Sequence, residues 1–377
     1  MKTKRLPFVL ILCCSFLGLF SQTILSPSDL GKQKEFKSIK EALAFPDKVY
    51  KLDLSSQALK VFPPEIQKFK NLQILNLKNN RIMALPSFLG VLNKLQVLDL
   101  NGNLLNTRSL KELDLAMALL PAPPIGKNKP TGKEKERLPI LEKLDLSNNM
   151  IDSFPTMLTQ FQHLTSLSLS GNGLKAIPQD MGNLSNLQEL FLTGNKLSML
   201  PADLAKLVHI TRLELDSNRL ESLPDGLSAL TELKELNLSH NNLSRAFKGI
   251  ENLQALTLLL LDENQFTALP DEVCSLKSLE TLGLSKNKLS TLPECINKLK
   301  EIQTLDLSYN ELDKLPSGIA GMQKLTTFKL SRNQLETVPV EIAQMKELKI
   351  VDLTGNPMPS AEKDKLRAEL SFAKLQF

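Results

Sequence analysis

Tryptophan is absent from this chain, tyrosine occurs twice and histidine three times in 377 residues. Without flat aromatic surfaces there is little on which a nucleobase or a sugar ring could stack. Charge of one sign is also missing: 46 Lys and Arg face 41 Asp and Glu, a formal net charge of +5. Lys2, Lys4 and Arg5 supply three of those positives in a stretch without acids, which leaves the remainder near +2 (5 − 3). That is too nearly neutral for electrostatic capture of nucleic acid. After Cys13 and Cys14 only Cys274 and Cys295 remain, so this is no disulfide-built scaffold. Hydrophobic residues at 42% and charged residues at 23% exclude both a disordered chain and a multi-span membrane protein.

One apolar run stands at the start. Met1 to Arg5 is basic, and Phe8 to Phe20 is apolar except for Ser15 and Gly18. The run is too short to span a bilayer comfortably and has the grammar of a signal peptide over 1–21, with a break between Ser21 and Gln22. An uncleaved anchor, or lipid modification at Cys14, is the alternative reading. Secretion is therefore expected, with a periplasmic or lipid-anchored position at the envelope surface as the alternative.

Length alone predicts two or three domains, but an internal repeat overrides it. Repeat starts fall at Val49, Leu72, Leu95, Leu141, Leu164, Leu187, Ile210 and onward to Leu348, each step 23 residues except a doubled step of 46 after Leu95. One unit reads Leu187, Leu190, Leu192, Asn195, Leu197, Leu200, Pro201, Leu204, Leu207. Alternation in Leu190-Phe191-Leu192 sends both leucines inward and Phe191 outward, as in a half-buried strand. The later leucines recur at three- and four-residue steps, as a returning helical or 3₁₀ segment needs. One turn cannot bury its own apolar face, so neighbours must stack.

The Asn, from Asn80 to Asn356, sits where the chain leaves the strand and can serve orphaned backbone donors and acceptors. Gln57 replaces it in the first unit. A proline one phase on, from Pro63 to Pro339, fixes φ and delays a helix; Ser109 and Phe247 stand in its place in the units starting at Leu95 and Leu233.

These residues resemble the leucine-rich repeat family, and the period with its Leu-Pro pair is similar to the secreted repeat proteins of pathogenic spirochaetes. The resemblance covers Val49 to the C-terminus. It implies an α/β solenoid: a horseshoe with a concave parallel β-sheet and a helical or 3₁₀ convex side. It further implies an exported recognition protein engaging a host cell-surface receptor or extracellular-matrix protein, with an envelope-associated scaffold protein as the alternative.

The expected organisation is a signal peptide 1–21, an N-terminal capping segment 22–48, a solenoid 49–356 with an insertion 109–140, and a C-terminal cap 357–377. Ser38 to Leu43 reads as a short capping helix, and Ser360 as the N-cap of a helix carrying Leu366 and Leu370. The insertion opens with Ser109-Leu110-Lys111-Glu112, a capping-box pattern, followed by Leu113, Met117 and Leu120 at helical steps. Leu113-Asp114-Leu115 mimics a strand but is out of phase.

No catalytic residues, cofactor or metal site are assigned. Gly126 to Lys133 superficially resembles a phosphate loop, but its second glycine is displaced and Glu134 stands where Ser or Thr is needed. His163 and His209 share one phase two repeats apart, roughly 9–10 Å by strand spacing, too far to share a zinc ion. Cys274 and Cys295 fall on adjacent convex sides but two positions out of register, which argues against a bond without excluding it. The sequence ends soon after the last repeat, with no room for the ligase domain of some bacterial relatives.

What remains is the concave face. Its outward positions are mostly polar, among them Asp53, Asn76, Asp99, Asp145 and Lys329. Against these, Phe191, Leu258 and Leu260 form an apolar group. Glu189, Arg212, Glu214, Asp216 and Glu235 surround it, and His240 and Tyr309 stand on the neighbouring edge. An apolar centre with a charged rim is the composition of a protein-binding patch.

Overall fold

Three residues per repeat, of the pattern outward–inward–outward, are enough to build the sheet. The structure is a computed structural model and describes residues 24–111 and 140–377. The expected signal peptide, the basic segment Gly126–Lys133 and most of the expected insertion lie outside the described residues. The described residues fall into two compact units, with the boundary between Gln33 and Lys34. In the first, helix α1 (Pro27–Lys32) opens with the Ser26 hydroxyl accepting the Asp29 N–H at 3.2 Å.

The second unit is a single 15-stranded sheet whose strands lie side by side in chain order, all parallel. It runs from β1 (Glu35–Phe36) through β2 (Lys51–Asp53), β4 (Val97–Asp99) and β5 (Lys143–Asp145) to β14 (Ile350–Asp352) and β15 (Lys374–Gln376). From β2 to β14 the middle residue, such as Leu52, Leu190 or Leu259, is buried, and its neighbours on the strand are not, apart from Gly283. One apolar core follows the sheet from Phe36 to Leu370. The ladder passes directly from β4 to β5, Leu98 opposite Leu144, so the doubled step leaves the sheet unbroken.

The returning segments are 3₁₀ except after β4, where the described residues 107–111 are α-helical. Each five-residue segment, Ala202–Lys206 for example, starts after a proline whose carbonyl accepts the N–H three residues on. The unit with Phe247 differs: its segment shortens to Ile250–Asn252 and begins at Gly249, whose φ of +86° replaces the proline's fixed turn. Phe247 itself goes into the core.

The Asn column does the work expected of it. Asn264 is 3% exposed; its amide donates to the carbonyls of Leu238 and Leu261 at 2.9 and 3.1 Å and accepts the Leu243 N–H at 3.0 Å. Each amide thus ties the turn of its own repeat to the one before. Gln57 instead reaches the Lys37 carbonyl at 2.9 Å, in the segment that covers the first repeat.

Three local expectations change. Helical structure after β4 begins at Thr107, because Asn106 accepts the Ser109 N–H at 3.0 Å while Ser109 Oγ accepts the Asn106 N–H at 3.3 Å. Ser109 is therefore the reciprocal partner of the cap. Ser360 is the first residue of the C-terminal helix (Ser360–Glu369), and Pro359 occupies the N-cap with no side-chain bond. Cys274 and Cys295, whose two-position offset argued against pairing, form a disulfide with Cα atoms 5.8 Å apart. No ladder enforces phase on the convex side, and two residues of 3₁₀ segment amount to only about 4 Å along its axis.

Candidate functional site

The outward strand positions form two rows across the concave face. One aligns Phe191 with Glu214, Asn237, Leu260, Gly283 and Asp306; the other aligns Glu189 with Arg212, Glu235, Leu258 and Thr281. The strands involved are β7 (Glu189–Phe191), β8 (Arg212–Glu214), β9 (Glu235–Asn237), β10 (Leu258–Leu260) and β11 (Thr281–Gly283). The expected apolar residues and their acidic neighbours are therefore brought onto one surface.

Phe191, Leu258 and Leu260 are half-buried rather than fully open to solvent. Arg212 lies over the Phe191 ring, 5.3 Å from its centroid, and is held there by Glu214 at 2.9 Å and Glu235 at 3.1 Å. The Glu214 hydrogen bond raises the guanidinium pKa further, so its charge is permanent. Beside Leu260, Gly283 has no side chain because the Asp262 carboxylate crosses that spot; a Cβ would stand 2.3 Å from its Oδ2. Asp262 accepts from both the backbone N–H and the hydroxyl of Ser285, each at 2.7 Å. The result is a shallow floor with fixed carboxylates at its border.

Asp216, His240 and Tyr309 lie at the edge of this face, where each strand turns inward. Asp216 accepts the Thr193 hydroxyl at 2.6 Å. His240 Nδ1 is 2.8 Å from Glu263 Oε2, and Lys286 pairs with the other oxygen of the same carboxylate. Lys286 is the larger cause of the lowered pKa of Glu263, with His240 adding to it. Tyr309 does not join the Phe191 group: it stands two strands beyond Leu260, 47% exposed, with the Arg332 guanidinium 5.1 Å from its ring centroid.

Reading single positions missed the column that contains His240 and Tyr309. At the residue before each Asn the backbone is left-handed: φ is +54° at His240, +51° at Glu263, +52° at Lys286, +56° at Tyr309 and +54° at Arg332. Glycine fills the same position at Gly102, Gly171, Gly194 and Gly355. Aligning the repeats by column would have exposed the alternation between these two kinds of residue.

His163 and His209, expected to be too far apart for a shared ion, line one shallow depression with Glu142, Thr165, Asn186 and Gln188. His209 Nδ1 instead meets Glu232 at 3.3 Å. Among the described residues no three His, Cys, Asp or Glu side chains converge to hold a metal ion. Among the same residues no helix is long and apolar enough to cross a membrane.

Comparison with known proteins agrees with this geometry. The family model for a leucine-rich repeat region matches residues 144–262 and 270–371, and a second leucine-rich repeat model matches 47–105. A leucine-rich repeat protein of Leptospira interrogans superposes with a TM-score of 0.65 at 34% identity, covering 92% of this chain and all of that one. The repeat ectodomain of the Arabidopsis receptor kinase HAESA, solved with a peptide hormone ligand, gives 0.64 at 30% identity over 82% of this chain and 50% of its own. An internalin of Listeria monocytogenes shares the fold at 19% identity, with a TM-score of 0.65 over 93% of this chain and 86% of that one. A probable inactive serine/threonine-protein kinase of Dictyostelium discoideum is 32% identical over 131 residues; this chain spans 35% of itself and 4% of that protein in the match. The solenoid is a protein–protein interaction fold, and the chain belongs to the leucine-rich repeat family.

Proposed function

We propose that the protein is an exported, non-enzymatic recognition module of the spirochaete-like kind that binds a protein partner, a host cell-surface or extracellular-matrix protein, through its concave face. The observation that carries this reading is the Phe191–Leu258–Leu260 group. It is a half-buried apolar floor with carboxylates fixed around it, on a sheet whose other outward positions are mostly polar, with Ile74, Val97 and Ile350, one to a strand, as the exceptions. Arg212 stacked on Phe191 gives that floor a rigid aromatic anchor, the type of residue on which interface energy concentrates. Export is supported by the signal-peptide grammar of 1–21 and by the Cys274–Cys295 bond, since disulfides persist in oxidising compartments. The extended likeness to the Leptospira protein supports the spirochaete-like kind. Recognition needs no chemistry from the floor, only fit and charge.

Phe191 and Leu260 are three strands apart, about 14 Å at ordinary strand spacing, and so fit inside one interface. The double variant Phe191→Ala/Leu260→Ser is expected to weaken binding to a panel of purified matrix and surface proteins at least about tenfold, or 1.4 kcal/mol. Lys206→Ala, on the convex side, should bind as the parent does. A panel member that binds parent and double variant equally well sinks the concave-face reading.

A further inference from the structure

The left-handed column carries more than its backbone requires. At each of its positions from Ser217 to Arg332 the N–H donates to a carbonyl of the next repeat, as His240 does to Asp262 at 2.8 Å and Tyr309 to Ser331 at 2.7 Å. The ladder fixes φ whatever the side chain, and a non-glycine residue there is strained. Gly102, Gly171, Gly194 and Gly355 avoid that strain, and Asn79 and Asn148 tolerate it. Five consecutive repeats instead place His240, Glu263, Lys286, Tyr309 and Arg332 there, in a row along one border of the concave face that is exposed except at half-buried Glu263. Their mutual ion pairs are open to solvent and return little stability. What these side chains do, they do for something outside the chain.

Charge along the face states what that something is. Over β7 to β10 the face and its border hold Glu189, Glu214, Asp216, Glu235, Asp262 and Glu263 against Arg212. Over β11, β12 (Thr304–Asp306) and β13 (Thr327–Lys329) the sign reverses: Lys286, Lys329 and Arg332 stand against Asp306. Leu258 and Leu260 lie at the boundary. From β8 to β13 is five strand steps, about 24 Å, which an extended segment of roughly seven residues spans.

We propose that this border and floor bind an extended peptide segment of a partner protein, basic at the end over Glu214 and Glu235, apolar over Leu258 and Leu260, and acidic at the end over Lys286 and Arg332. Tyr309, with Arg332 stacked on it, presents a flat surface and a guanidinium to the acidic end. The inference rests on the concave-face reading above and gives its partner a chemistry.

The test uses the full chain, a displayed library of random nine-residue peptides, and two variants. Peptides enriched on the parent should carry a basic end, an apolar middle and an acidic end. An enriched peptide should bind Tyr309→Gly/Arg332→Gly at least about tenfold more weakly. That variant should unfold at the same or a higher temperature than the parent, because glycine relieves the strain. Arg332→Glu should favour peptides whose acidic end has been made basic. No enrichment, enrichment without the two opposite ends, or unaltered binding to the double glycine variant overturns the proposal. So does a lowered unfolding temperature for that variant, since the side chains would then serve the fold. If Phe191→Ala/Leu260→Ser alone loses the protein partner, the concave-face reading stands and this inference fails; if neither variant loses it, both fail.

Discussion

Two columns of the solenoid are one residue apart and carry opposite kinds of sequence. The inner column is Asn in every full repeat after the first, from Asn80 to Asn356. The outer column, the residue before it, is Gly, Asn, Ser, His, Glu, Lys, Tyr or Arg. Both belong to the same turn and the same ladder. The difference lies in what the backbone asks of each side chain. Inside, a carboxamide must donate to two carbonyls and accept an N–H, and no other side chain of that size carries both donors and acceptor in one plane. Outside, the backbone asks only for a positive φ and leaves the side chain to solvent. Constancy in a repeat thus marks internal hydrogen bonding, and variation at a strained position marks a surface under a different demand.

The sharpest break of this comparison removes an inner amide. Asn264→Ala strands the carbonyls of Leu238 and Leu261 and the Leu243 N–H, and should cost about 3 kcal/mol. Lys329→Ala, exposed on the outward side of β13 and paired with half-buried Asp306, should cost less than about 0.5 kcal/mol. Urea titrations followed by circular dichroism measure both. Equal losses would mean that the inner amide does no more for the fold than an outward strand side chain.

A smaller effect tests the outer column on its own terms. Gly194 has φ +67°, and an added Cβ would find nothing nearer than 3.6 Å. Gly194→Ala therefore isolates the cost of the left-handed conformation, expected at about 1 kcal/mol in the same titration. An unchanged midpoint would remove the strain argument for the whole row.

The period, the inward leucines and the Asn column were legible in the sequence because each is a demand repeated by every turn. Thirteen copies average out local exceptions such as Phe247. The apolar group at Phe191 was legible too, since strand alternation alone decides which way those side chains point. What stayed hidden was set by contacts between neighbours in space rather than in sequence. Cys274 meets Cys295 because convex segments are free of a ladder, and Ser109 answers Asn106 rather than opening its own helix. Lys286 and Arg332 went unseen because a left-handed φ has a sequence signature only when glycine supplies it, and here it does so in some repeats and not in others.

The smallest effect asks where the interior ends on the concave side. Asp99 lies in the outward row of β4, between Asp53 and Asp145, yet burial raises its carboxyl pKa above the ordinary 3.8; the Asn101 N–H opposes that rise and Asp145 adds to it. An acid whose folded pKa is raised holds its proton more tightly in the folded state than in the unfolded one. Its ionisation therefore lowers stability as pH rises through the folded value, and the penalty is absent below about 3.8. Asp99→Asn keeps an acceptor for the Asn101 N–H, now at 2.9 Å, and removes the charge. The variant should be more stable than the parent at pH 7 by less than about 1 kcal/mol, since the site is only half-buried. That advantage should shrink as pH is lowered and vanish near pH 3.5 to 4 in paired thermal unfolding scans. A constant advantage across that range would place the effect in packing, and Asp99 would then belong to the surface row like its neighbours.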